Sequence, residues 1–170
     1  PEPWYSPLQL SGCINEIALI YQAAGQLDDA EKMFDVSIKE LEKLHGPDHA
    51  TVLRGRYNLG LLWHQRGDLA KAVHFLELSV PKMRHLFADA HPGTIADMVN
   101  NLGSVMALSG RLSEAERVMQ DALDLQRIAV GASHEKYLNT LESLAEIKSR
   151  LGDRSASEKL RREAESIKKS

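Results

Sequence analysis

Apolar residues along this 170-residue chain recur at spacings of three and four, without the alternation of a strand. Around the segment 57–64, Tyr57, Gly60, Leu61 and His64 fall on one strip and Leu59, Leu62 and Trp63 on another, which is helical spacing. Comparable segments occupy Ile14–Tyr21, Asn100–Met106 and Glu142–Lys148, and a glycine closes each one. Those glycines, Gly25, Gly67, Gly110 and Gly152, are separated by 42, 43 and 42 residues. Five residues after each stands a small side chain: Ala30, Ala72, Ala115 and Ser157. His49, His91 and His134 recur at 42 and 43. Self-similarity at such a period is the signature of a repeat architecture.

Each period reads as two helices. Gly67 ends the first with a turn open to glycine, and Asp68 caps the second. The same order returns in Gly25-Gln-Leu-Asp28 and Gly110-Arg-Leu-Ser113, where Ser113 and Glu116 have capping-box spacing. Between periods, Gly46-Pro47-Asp48 and Ala90-His91-Pro92 break the chain, with Pro92 at a first helical position; Ser6-Pro7 opens the first period likewise. The histidines are expected to cap and pack the start of each period. The predicted helices are 7–23, 27–44, 49–66, 69–87, 91–109, 112–130, 134–151 and 154–168, with no strand. Pro81 predicts a kink or early end in the fourth. Small residues mark helix crossings: Ala18, Gly60, Gly103 and Ala145 on first helices face the alanines on second helices, letting axes approach to about 8 Å. Tyr21, Trp63 and Met106, with Phe34, Leu76 and Met119, fill the space beside them as core.

This pattern resembles tetratricopeptide repeats. Leu59-Gly60-x-x-Trp63 with Ala72 and Leu76 matches that register, as does Leu102-Gly103-x-x-Met106 with Ala115 and Met119. The long period and the Leu44-His-Gly-Pro-Asp-His49 connection are similar to the kinesin light chain type. HEAT-type repeats share the length without explaining the Leu-Gly and Ala register. The last period departs, with Lys148 and Arg161 at bulky places and Ser157 for alanine. The resemblance implies an all-α, right-handed superhelical α-solenoid of eight helices in four helix-turn-helix repeats. They are expected as one array over 1–170: repeat 1 at 7–48, repeat 2 at 49–90, repeat 3 at 91–133, and repeat 4 with a C-terminal cap at 134–170. The segment 154–170, with Ala156, Leu160, Ala164 and Ile167 on one face of a polar helix, has the character of that cap.

First helices of such an array line a concave groove. The expected groove positions are Asn15, Leu19 and Gln22, then Arg54, Tyr57, Asn58, Leu61, His64 and Gln65. Next come Asp97, Asn100, Asn101 and Ser104, then Asn139, Glu142, Ser143 and Glu146. Asparagine is a poor interior helix former, yet it recurs here, and its amide both donates and accepts. The resemblance implies that Asn58 and Asn101 grip a peptide backbone; bridging neighbouring repeats is the other reading. Family members that clamp a C-terminal carboxylate use cations where this chain has Asn15, Leu19, Asp97 and Asn101, so an acidic tail is a poor ligand. Arg54, Tyr57 and His64 against Glu142 and Glu146 suggest a ligand acidic or aromatic at one end and basic at the other.

Charge and composition narrow the function. A net charge of −3 leaves no footprint for nucleic acid, and no apolar run is long enough for a membrane span. Without a signal peptide, a cytoplasmic location is expected, and a start at Pro1 suggests a piece of a longer chain. The repeating histidines lie about a helix layer apart, on the order of 10 Å, too far to share a metal. His45 and His49 are separated by the helix-breaking Gly46-Pro47. Cys13, the one cysteine, is expected in the core with no catalytic partner. No cofactor motif is present. The expectation is a non-catalytic module binding a protein or peptide; a structural or regulatory spacer and self-association by end-to-end stacking are the alternatives. Trp4 is expected to pack on the first repeat.

Overall fold

The computed structural model describes residues 7–169, with side chains from Gly12 onward. Ser6 and Trp4 lie outside the described residues. Among the described residues there are eight helices: α1 (Pro7–Ala23), α2 (Leu27–His45), α3 (Ala50–Gln65), α4 (Leu69–Phe87), α5 (Pro92–Leu108), α6 (Leu112–Ala129), α7 (Glu135–Arg150) and α8 (Arg154–Lys169). There is no strand among the described residues, and the fold is an all-α helical repeat.

The glycine turns are built alike. At φ 82, Gly67 donates its amide to the His64 carbonyl at 2.9 Å, while the Asp68 amide reaches back to Trp63 at 3.0 Å. This paired closure needs a left-handed residue, which is why glycine occupies it. Asp68 then accepts the Lys71 amide on Oδ1 at 3.0 Å, so it lies just past one helix and caps the next. Asp153 does the same for Ala156 at 3.0 Å. The equivalent place after Gly110 is Arg111, which has no acceptor and makes no side-chain cap. Ser113 therefore sits inside the first turn of α6, and the predicted capping box does not form.

His49 and His134 cap α3 and α7 by accepting the amides of Thr51 and Lys136 on Nδ1. His91 does not cap α5. His49 and His134 have extended backbone, φ −68 and −75, whereas His91 holds the N-cap place of α5 at φ −137 and ψ 55, with Pro92 as the first helical residue, and its ring accepts no amide. His45 and His49 stack across Gly46-Pro47, ring centroids 4.4 Å apart. Pro81 does not end α4, which continues to Phe87. Cys13 is exposed, contrary to expectation.

The chain gathers into two compact units, Pro1–Lys82 and Met83–Ser170. In the first, Ala18 and Ala30 are fully buried, and Phe34, Leu53, Leu59, Leu62 and Leu76 fill the core. Gly60 admits Leu76 so closely that a Cβ there would lie 2.9 Å from its Cγ. A Cβ on Gly55 would lie 2.8 Å from Ile38 Cγ1, which shows α2 resting directly on α3. Arg66 pairs with Asp28 and, at 2.9 Å, with Glu31, and lies 4.9 Å over the Trp63 ring. Lys71 approaches that ring to 3.7 Å, a cation–π contact.

In the second unit Gly103 receives Met119, and Ser157 fills the small-residue place because its hydroxyl donates to the Ala145 carbonyl at 2.7 Å. Lys148 stands where Trp63 and Met106 stand in their helices, held by Glu116 at 2.7 Å and Asp153 at 3.8 Å. The hydrogen bond that Lys148 donates to the Glu116 carboxylate keeps its pKa above the ordinary lysine value. Burial, then the nearby Glu163 carboxylate, raises that of Tyr137.

Candidate functional site

The expected groove residues lie on α1, α3, α5 and α7, and the structure treats them differently. In the first unit Arg54 and His64 are exposed on α3, with Tyr57, Asn58 and Leu61 half-buried between them. Leu19 on α1 is half-buried. Gln22 donates from Nε2 to Gln65 Oε1 at 3.1 Å, a bridge between α1 and α3. Asn15 is buried and its Nδ2 has no partner, so it offers nothing to solvent.

In the second unit α5 and α7 border an open cleft of about 550 Å³. Ala107, Leu108 and Ile147 line it with Met119, all apolar; Ser104, Asn139, Glu142, Ser143, Glu146 and Arg150 supply its polar lining. Apolar lining with a few convergent polar groups is the usual make-up of a ligand site. The carboxylates are already answered from α8, since Glu142 meets Lys168 at 2.5 Å and Glu146 meets Arg161 at 3.3 Å. Arg150 donates to the Ala107 carbonyl at 3.2 Å. The Ser143 hydroxyl donates to the Asn139 carbonyl at 2.9 Å.

The cleft brings together Ser104, Asn139, Glu142, Ser143 and Glu146 among the expected residues. It leaves out Asp97, which pairs with Lys136 at 2.6 Å, and Asn100, whose Oδ1 accepts from Thr140 at 2.9 Å. Both of these join α5 to α7. Asn101 is half-buried and also outside the lining. Leu108, Ala107 and Arg150 were not foreseen; Leu108 stands one turn beyond Ser104 on the same stripe of α5, and that spacing was the available signal.

Among the described residues no group of three or more His, Cys, Asp or Glu is placed to hold a metal ion. Among them, too, no helix is long and apolar enough to cross a membrane.

A family model described as Tetratricopeptide repeat matches residues 10–84 and again 94–170. No curated protein matches the sequence. Among solved structures, the nearly identical TPR-like repeats of a Podosopora anserina protein assigned as a kinesin light chain superpose with a TM-score of 0.78. That pair shares 20% identity over 93% of this chain and 74% of the other. BtubC (BKLC) from P. vanneervenii gives 0.82 at 20% identity, over 98% of this chain and 66% of that one. The MamA RS-1 ArsTM double mutant gives 0.70 at 17%, over 94% and 75%. At these identities the likeness is one of fold.

Proposed function

The chain belongs to the tetratricopeptide repeat family, and we propose that it is a non-catalytic interaction module holding an extended segment of a partner protein in the cleft between α5 and α7. The fold of this family is generally a protein–protein interaction scaffold, and its members typically do no chemistry. The observation that carries the reading is the cleft itself, with Leu108 58% exposed beside it. Covering the exposed part of this leucine with an aliphatic side chain of the ligand contributes on the order of 1 kcal/mol. The Asn139 amide supplies the donor and acceptor that an extended backbone needs. Asn58 on α3 and Asn101 on α5 are each an amide that a ligand of its own unit could meet.

The acidic pole expected at Glu142 and Glu146 is neutralised by Lys168 and Arg161. Recognition therefore rests on apolar contact and amide hydrogen bonds more than on net charge, and its dependence on salt is shallow. Peptide-display selection on the full chain, repeated on Leu108→Glu/Asn139→Ala with a thermal melt as folding control, tests this. A common motif whose affinity falls about tenfold or more in the folded variant supports the site. A motif that survives the pair of changes, or no motif at all, overturns it in favour of a spacer role; an arm with Asn58→Ala/Asn101→Ala separates the two asparagines from the cleft.

A further inference from the structure

α1 differs from the other first helices on one face. Cys13, Ile17 and Ile20 stand 12, 8 and 5 residues before Gly25. The same places before Gly67 hold Gly55, Leu59 and Leu62, the two leucines 1% and 0% exposed. Before Gly152 they hold Thr140, Leu144 and Ile147, the last two 1% and 3% exposed. On α1 the face has kept its apolar character, yet Ile17 is 43% and Ile20 68% exposed, and Cys13 is exposed too. What covers the face elsewhere is visible. On α3 it is α2, with Ile38 against Gly55; beside α7 it is α6, whose Leu123 shares a crevice with Tyr137, Leu141 and Leu144. Leu123 is in the register place of Ile38, each 13 residues after its glycine.

We propose that this face of α1 docks the second helix of a partner helix pair of the same repeat type, supplied from outside residues 7–169, with an apolar residue of that helix set over Cys13 as Ile38 is set over Gly55. The interface is the one already formed by α2 on α3, continued one step. A second copy does not fit the role. Its α2 and α6 are occupied on their own neighbours, its α4 already buries Leu76 and Val80 at those places, and its α8 carries Arg161, Glu165 and Lys168 where α2 carries Phe34, Ile38 and Leu41. Laying those charges on Ile17 and Ile20 would strand them on apolar surface. Among the described residues, α8 thus shows a polar outer face and α1 an apolar exposed one.

The test places a copy of residues 7–48 directly ahead of Pro7, which continues the 42-residue register, with Cys13→Ser in the copy. The reaction of the remaining Cys13 with a thiol reagent is expected to slow about tenfold or more, because thiol reactivity follows exposure. The same 42 residues appended after Ser170 leave it unchanged. Introducing Ile38→Cys in the copy yields a disulfide with Cys13 under a mild oxidant, and Val36→Cys does not. Equal crosslinking from both places, or an unslowed Cys13, overturns the proposal. A separate arm uses the unextended chain: Ile17→Glu/Ile20→Glu leaves its melting unchanged, and sedimentation gives a monomer. A variant that melts early, or a dimer that shields Cys13, also overturns it, the dimer assigning the face to a second copy. None of these readings involves the α5–α7 cleft, so the two proposals fail separately.

Discussion

At Gly60 and Gly103 the same small-residue rule has two different tolerances. A methyl at Gly60 would meet Leu76 Cγ at 2.9 Å and the Ala72 carbonyl at 3.3 Å, and Leu76 is completely buried. Overpacking of that kind costs about 1–3 kcal/mol, against about 1 kcal/mol gained from replacing glycine in a helix. Gly60→Ala is therefore expected to destabilise the chain by about 1 kcal/mol, read as a lower urea midpoint. At Gly103 the neighbour is the Met119 side chain, Cγ at 3.0 Å and Sδ at 3.2 Å, and a thioether yields easily. Gly103→Ala should leave the midpoint within about 0.5 kcal/mol. A second contrast separates two buried polar groups. Asn15 buries an unpartnered Nδ2, so Asn15→Leu should stabilise by about 1 kcal/mol. Thr140 donates to Asn100, so Thr140→Val should cost about 1 kcal/mol. If Asn15→Leu lowers stability as much as Thr140→Val does, the account of Asn15 is wrong.

Among the elements, the helix boundaries were legible because the punctuation is written in residue types. Glycine with φ near 82 can end α3 at that point only, and predicted and observed ends differ by a residue or so where a cap was counted as helix, as at His49 and Arg66. His91 misled because its recurrence does give it the N-cap place of α5, but its backbone there is not the extended one of His49 and His134, and its ring accepts no amide. Lys148 in a bulky place was legible only as a departure. Its explanation, Glu116 reaching across from α6, depends on tertiary position. Half-exposed ion pairs of this kind contribute at most about 1 kcal/mol, and Met106 shows that an unbranched apolar chain fits the place. Lys148→Met should hold stability within about 0.5 kcal/mol at 0.15 M salt, and melts from low to high salt should change less than in the parent.

At the scale of the whole molecule, two groups act at the alkaline end of titration. Burial raises the Tyr137 phenol above its ordinary 10.0, and Glu116 raises Lys148 above 10.5. Raised values mean stability present below the unfolded pKa and lost as pH climbs through the folded one. Urea midpoints should therefore fall above about pH 10, and Tyr137→Phe should flatten the first part of that fall. An equally steep fall in the variant would remove Tyr137 from the account. The functional face was less legible than the fold at this scale. Helical register placed Asn139, Glu142 and Glu146 together, but it could not show that α8 answers both carboxylates or that Asn100 is engaged by Thr140. Those facts come from helices packing side by side, which a one-dimensional period does not contain. Leu108 lies on the same stripe one turn past Ser104, and the cleft leaves it open.

The Trp63 ring, pressed between Arg66 and Lys71, also makes the two halves of the chain optically distinct. Both tryptophans fall within Pro1–Lys82, while Met83–Ser170 has Tyr137 as its one phenolic chromophore. Indole emission accordingly reports on the first half alone. The far-ultraviolet signal of the helices averages both, so comparing the two traces in one sample assigns any uncoupled step to a half without attaching a dye.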